Sequence, residues 1–396
     1  MKVTDVRAPH LDSSSPARLS AAIAVARVLC IVGVIYAHAW TGLGGDQLDA
    51  ANGTAQGTLR WVLTELLGRS AVPLLGMISG WLVMSSASSR SYNRFIAGKA
   101  RTILLPMLAW NALAMLIISG GAYLGFLLAP VPGSLWIAID QLFCLISPNE
   151  TNVQMAFLRD LFICMAMAPL LVRLPGRWLV LIAAGVALWS ISGVNVPVLL
   201  RPAILLFFIG GILTRQARLE TRVIAVPLVL AALAFGAVAA VKIWLSALAV
   251  PLGTAHPLMM ASLDLVLRFA AALFFWRLSW FLAGRSVSDL LLRIEPYVFL
   301  VFCAHLIMMW LGGPLIGTLT GPLGSPLYPP FLLLQPLLVV AAAIGLGRVL
   351  GAYMPSAARL LSGGRLKARK DASVRRRSPI PPGSIWPPRH SPDEAG

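Results

Sequence analysis

Histidine suits proton abstraction from a hydroxyl near neutral pH, because its unperturbed pKa is about 6.5. The sequence has five histidines, and His38 and His305 both lie inside long apolar runs. His38 shares its run with Arg27, eleven residues earlier. At about 100° per residue, that spacing falls within about 20° of three full turns and covers roughly 16 Å of helix axis. On a helix, both side chains therefore face the same way. An imidazole and a guanidinium so placed suit a transporter, or an enzyme that carries a group across the membrane. Plainer roles are open to both: a hydrogen-bonded interfacial histidine, and an arginine snorkelling to headgroups. Arg27 sits about two turns inside its run, which strains the second of these.

Other polar residues fall near the ends of apolar runs. Glu65, Arg159, Asp160, Arg201, Asp264 and Arg268 group at one depth with His38. Asp264 and Arg268 are spaced i, i+4 and can pair on one helical face. Arg94, Lys99 and Arg101 precede another run, and Glu295 opens the run that holds His305. A charge inside a span is costly and is by default a functional hypothesis. The four cysteines form no CxxC pair, so no zinc or disulfide framework is expected, and no metal site is read from the sequence.

The elements that must position these residues are membrane spans. Of 396 residues, 58% are hydrophobic and only 12% charged, with a mean hydropathy of +0.82. Soluble domains carry about 25% charged residues. With about 20 apolar residues per span, ten spans are expected: 20–41, 69–87, 103–128, 155–173, 178–193, 199–214, 222–244, 261–283, 294–316 and 330–350. The segment 133–147 is apolar but short, as expected of an interfacial or re-entrant piece. No cleavable signal peptide is expected; the first run reads as a retained helix.

The net charge of +17 is distributed for membrane orientation rather than for nucleic acid. Lys2, Arg7, Arg18, Arg90, Arg94, Lys99, Arg101, Arg173, Arg177, Arg215, Arg218, Arg222, Arg285 and Arg293 lie in alternate gaps, with nine more basic residues after Gly351, whereas the other gaps hold only Arg60. Positive residues accumulate on the cytoplasmic side, so both termini are expected there. The expected fold is an all-α, polytopic membrane bundle with three parts: a cytoplasmic lead (1–19), a membrane domain (20–353), and a basic, Pro-rich, disordered tail (354–396) that could touch anionic lipid.

These residues resemble the integral membrane acyltransferase family 3. ARVLCIVGVIYAHAW carries its Arg–ten residues–His pattern as Arg27 and His38. VPLLGMISGWLV (72–83), FIAGKARTILLPMLAW (95–110), AFLRDLF (156–162), LFFIGGIL (206–213) and YVFLVFCAHLIMM (297–309) are similar to its later segments, in order. Lys99, where many members have Arg, and Ala156, where an aromatic is usual, depart from the pattern.

The resemblance implies an O-acyltransferase of the plasma or inner membrane. It implies a cytoplasmic acyl-CoA donor, acetyl-CoA foremost and a succinyl donor next, and a glycan or lipid-linked sugar as acceptor. His38 becomes the expected base; Arg27, Lys99 and Arg101 become the expected ligands of the donor phosphates. Asp160 is assigned to orient His38 or the acceptor, or else to form a salt bridge with Arg159 or with the partner of Asp264. His305 is expected to be structural or supporting, and Glu295 to cap its helix. The competing class is a transporter or flippase of a polysaccharide precursor, which would explain the charged vestibules without chemistry.

Overall fold

A bilayer offers the backbone no hydrogen-bond partners, so apolar runs of this length must satisfy their N–H and C=O groups internally. The computed structural model describes residues 16–87, 91–246 and 255–366. Among these the chain is helical, with only an isolated bridge between Val196 and Leu199. The main helices are α1 Pro16–Ala37, α2 Ala55–Ser86, α3 Tyr92–Tyr123, α4 Leu135–Phe143, α5 Met155–Leu171, α6 Gly176–Ser192, α7 Pro202–Gln216, α8 Leu228–Leu245, α9 His256–Leu282, α10 Val287–Thr320, α11 Tyr328–Tyr353 and α12 Pro355–Leu361. Seven of them (α1, α2, α3, α8, α9, α10 and α11) are long and apolar enough to cross a membrane. Helices α5, α6 and α7 are shorter, with 17, 17 and 15 residues.

Each expected span corresponds to one of these helices, but several boundaries move. The second was expected from residue 69, and α2 begins at Ala55, capped by the Thr54 hydroxyl, which accepts the Gly57 N–H at 3.0 Å. Glu65 and Arg69 pair at 3.0 Å one turn apart, so the helix carries both charges without breaking. A π-helical stretch, Val62–Arg69, lies within it. The third was expected from 103, and α3 begins at Tyr92, so Arg94, Lys99 and Arg101 sit on its first turns rather than before it. The ninth extends back to Val287 through a tight turn at Glu295–Tyr297, where Pro296 interrupts the α-helical ladder.

The short apolar segment forms α4. Its Ser134 cap accepts the Ile137 N–H, and Cys144, with φ +53°, ends it. Asp140 then secures the following turn by accepting hydrogen bonds from Ile146 N–H (2.7 Å) and the Ser147 hydroxyl (2.5 Å).

Helix α1 lies inside the bundle, packed against α2, α9, α10 and α11, whereas α8 packs mainly on α9 and leaves Val229, Leu230 and Leu233 exposed, as a lipid-facing surface does. Helices α2 and α7 make the closest approach. A Cβ on Gly80 would stand 1.9 Å from the Phe208 carbonyl oxygen, and one on Gly211 would stand 2.0 Å from that of Met77. Small residues permit such backbone contact between membrane helices.

The tail expected to be disordered from 354 begins instead as α12. Leu361 O accepts the Trp110 indole N–H at 2.9 Å, and Arg365 donates to Thr102 O at 3.4 Å, so residues 355–366 are pinned across α3. The remainder of the expected tail, from 367, and the N-terminal lead before Pro16 lie outside the described residues, as does Arg90.

Candidate active site

One face of α1 carries the site. Arg27, Ile31, Val34 and His38 follow at i, i+4, i+7 and i+11, the spacing of a single helical face. Arg27 and Ile31 line one cavity; Val34, Ala37 and His38 line a second. The shared face inferred from spacing alone is thus the wall of two successive chambers.

The Arg27 cavity has a volume of about 270 Å³. Its polar lining includes Arg27, Ser79, Lys99, Thr102, Glu295 and Arg365. Arg27 Nη1 pairs with Glu295 Oε1 at 2.9 Å, which corrects the reading of Glu295 as a helix cap: its carboxylate faces α1 across the cavity. Lys99 lies over the Phe95 ring at 5.4 Å, immediately before the π-helical stretch Ala100–Leu104. Arg365 stacks on Phe299 at 3.9 Å. The chamber thus gathers three cations against one carboxylate. Arg101, expected beside Lys99, is exposed and does not line it, because the two residues point to different sides of α3. Arg365 was not singled out from sequence, since its Arg/Pro/Ser surroundings read as tail.

The His38 cavity is larger, about 610 Å³, and is lined by His38, Arg69, Gln154, Ser190, Arg201 and Arg268 among apolar side chains. α1 ends at Ala37; the next N–H groups, of His38 and Ala39, bond back three residues to Ile35 O and Tyr36 O at 3.1 Å. The chain is then clamped. Gln335 Oε1 accepts the Trp40 N–H at 2.8 Å, while Gln335 Nε2 and the Tyr328 hydroxyl donate to Trp40 O at 3.0 and 2.9 Å. These bonds fix where His38 points.

The structure brings His305 to His38, with ring centroids 5.5 Å apart. His305 is fully buried, and its Nδ1 stands 2.6 Å from Phe302 O. A carbonyl only accepts, so Nδ1 carries the proton and Nε2 of the neutral ring carries a lone pair. That Nε2 is buried without a hydrogen-bond partner among the described residues. Gln154 Oε1 is a second buried acceptor without one, while its Nε2 donates to Asn152 Oδ1 and Cys303 O. The polar run Asn149–Gln154 lies between the segment 133–147 and the expected span 155–173. Asn149, Thr151, Asn152 and Gln154 are buried there, and Asn152 Nδ2 donates to Asn111 Oδ1 at 3.2 Å, a network with no hydrophobic periodicity to reveal it.

Asp160 does not join this group, which corrects its assignment as a partner of His38. It is fully buried and does not line the cavity. It accepts Arg159 Nη1 at 2.7 Å and the backbone N–H groups of Arg201 (2.7 Å) and Leu200 (3.3 Å). Its carboxylate thus closes the exposed N-terminus of α7. Arg159 also donates to the carbonyls of Leu145, Pro197 and Val198, so the pair ties two loops together.

Between the chambers stand Phe157 and Phe302, which line both, with ring centroids 5.8 Å apart in an edge contact. No group of three or more His, Cys, Asp or Glu side chains that could hold a metal occurs among the described residues.

Comparison with known proteins bears on what passes between these chambers. The model of the acyltransferase domain designated acyltransferase 3 matches residues 20–353. The chain belongs to the acyltransferase 3 family. It is therefore a multi-pass membrane protein and an enzyme that transfers acyl groups other than aminoacyl groups. It is 25% identical over 379 residues to the succinoglycan biosynthesis protein ExoH of Rhizobium meliloti (strain 1021), covering 90% of this chain and 95% of that one. No solved structure matches it significantly.

Proposed function

We propose that this acyltransferase moves an acyl group from cytoplasmic acyl-CoA, through the bundle, to a hydroxyl of an exopolysaccharide or lipid-linked glycan on the far side of the plasma or inner membrane. The observation that carries this reading is the pair of chambers on one face of α1, cationic at Arg27 and histidine-bearing at His38, with Leu75, Phe157 and Phe302 lining both. The similarity to a succinoglycan biosynthesis protein supports a polysaccharide acceptor. The charge pattern of the gaps supports ten spans with both termini and the Arg27 chamber on the cytoplasmic side.

Arg27, Lys99 and Arg365 hold the donor phosphates, Arg27 by exchanging Glu295 for phosphate oxygen. The pantetheine arm reaches past the phenylalanine pair, a path comparable to the roughly 16 Å between Arg27 and His38. In the second chamber the His38 ring turns so that one nitrogen, keeping its proton, donates a hydrogen bond to the His305 Nε2 lone pair. The other nitrogen is left free to accept the proton of the acceptor hydroxyl. The hydroxyl oxygen attacks the thioester carbonyl, the C–S bond breaks, and the proton returns from His38 to the departing thiolate. Gln154 Oε1 accepts a hydrogen bond from a neighbouring acceptor hydroxyl, which orients the attacking one.

The test is transfer of label from acetyl-CoA and, separately, succinyl-CoA to a glycan acceptor by the purified protein in lipid. Wild-type protein transfers at least one of these groups and His38→Ala transfers neither. Equal transfer by both would remove His38 as the base, and no transfer from any acyl-CoA would remove the donor.

A further inference from the structure

The His38 chamber carries more positive charge than acyl transfer to a neutral sugar needs. Arg69 of α2, Arg201 at the start of α7 and Arg268 of α9 all reach its wall, and none of the residues lining it is acidic. Glu65 compensates Arg69 at 3.0 Å. Asp160 is shared between Arg159 and the backbone N–H of Arg201, while the Arg201 guanidinium donates to Val153 O at 3.2 Å. Asp264, the partner expected for Arg268 from their i, i+4 spacing, is taken by Lys242 at 2.5 Å. Arg268 forms no ion pair among the described residues. Four guanidiniums thus face two carboxylates, an excess of two positive charges within a membrane bundle, where unbalanced charge is expensive.

We propose that Arg69, Arg201 and Arg268 form an anion site for a diphosphate borne by the acceptor, so that the substrate enters as a sugar diphosphate ester with its sugar hydroxyls toward His38. The excess of two charges matches the two negative charges of a diphosphate diester. Guanidinium forks fit phosphate oxygens in pairs, which one ammonium cannot do. The orphan acceptor Gln154 Oε1 suits a sugar hydroxyl rather than a phosphate, which places sugar and diphosphate at different parts of the same chamber. This rests on the reading that the acceptor occupies the His38 chamber.

The experiment measures binding by calorimetry to the full chain in lipid nanodiscs, with CoA saturating the donor site and CoA binding recorded in the same preparation. The probes are farnesyl diphosphate, uridine diphosphate glucose and methyl glucuronide. At least one diphosphate should bind to wild type, and Arg268→Gln should weaken it roughly ten- to a hundredfold with CoA affinity unchanged. Arg268→Lys should recover part of the loss. Preference for farnesyl diphosphate identifies a lipid-linked acceptor, and preference for uridine diphosphate glucose a nucleotide-linked one. Absence of diphosphate binding, binding indifferent to both Arg268→Gln and Arg201→Gln, or tighter binding of methyl glucuronide would overturn the proposal. Loss of CoA binding alone, with the diphosphate site intact, would instead sink the acyl-CoA reading and leave this site standing.

Discussion

At the residue scale, the proposed function divides the labour between the two ends of one helical face. Arg27 pairs with the Glu295 carboxylate at 2.9 Å, whereas the His38 ring lies 5.5 Å, centroid to centroid, from that of His305. Their variants should therefore fail differently. Arg27→Ala removes charge-assisted hydrogen bonds worth about 1.5–3 kcal/mol each, so donor affinity should fall roughly ten- to a hundredfold. Arg27→Lys should be only partly tolerated, since an ammonium cannot reproduce the fork. His38→Ala should bind acetyl-CoA nearly as well as wild type and not turn over, because a general base acts in the transition state. Calorimetry with acetyl-CoA beside product assays separates the cases; undiminished binding in Arg27→Ala would make Arg27 a packing partner of Glu295. Arg27, His38 and His305 were legible because a charge or imidazole stands out in an apolar run. Arg365 and Gln154 were not, because their roles come from chain reversal and loop burial that carry no period.

At the element scale, the glycines of ISGW and IGGI explain why those segments hold together. Gly80 and Gly211 let α2 and α7 touch backbone to backbone, and α7 carries Arg201 at its start. Gly80→Val must displace the Phe208 carbonyl, an overpacking that costs typically 1–3 kcal/mol and more where backbone must move. The expected result is a lowered unfolding temperature and loss of activity in detergent. Gly185→Ala, where an added Cβ meets nothing within 4 Å, should leave both unchanged; equal tolerance of the two would deny the contact. The ten long apolar helices were readable from hydropathy, while α12, which falls in the expected tail, and the helix ends were not. The early start of α2 depends on the Glu65–Arg69 pair and the Thr54 cap, and the early start of α10 on a turn at Pro296. These local bonds override the polarity that a hydropathy scan counts against a span.

At the scale of the molecule, the account requires the two chambers to face opposite sides of the bilayer. The proposed topology, drawn from the gap charges, puts the Arg27 side in the cytoplasm. A phosphatase reporter should accordingly be active after Asn152 and inactive after Arg94, and activity at the C-terminus would reverse the assignment. The central claim is passage of an acyl group from one chamber to the other past Phe157 and Phe302. Its most direct test uses sealed, uniformly oriented vesicles, with labelled acetyl-CoA on the cytoplasmic face only and a membrane-impermeant glycan acceptor on the opposite face only. The account predicts that label appears on the acceptor while free CoA remains on the side where it was supplied. Transfer only when donor and acceptor share one side would contradict it.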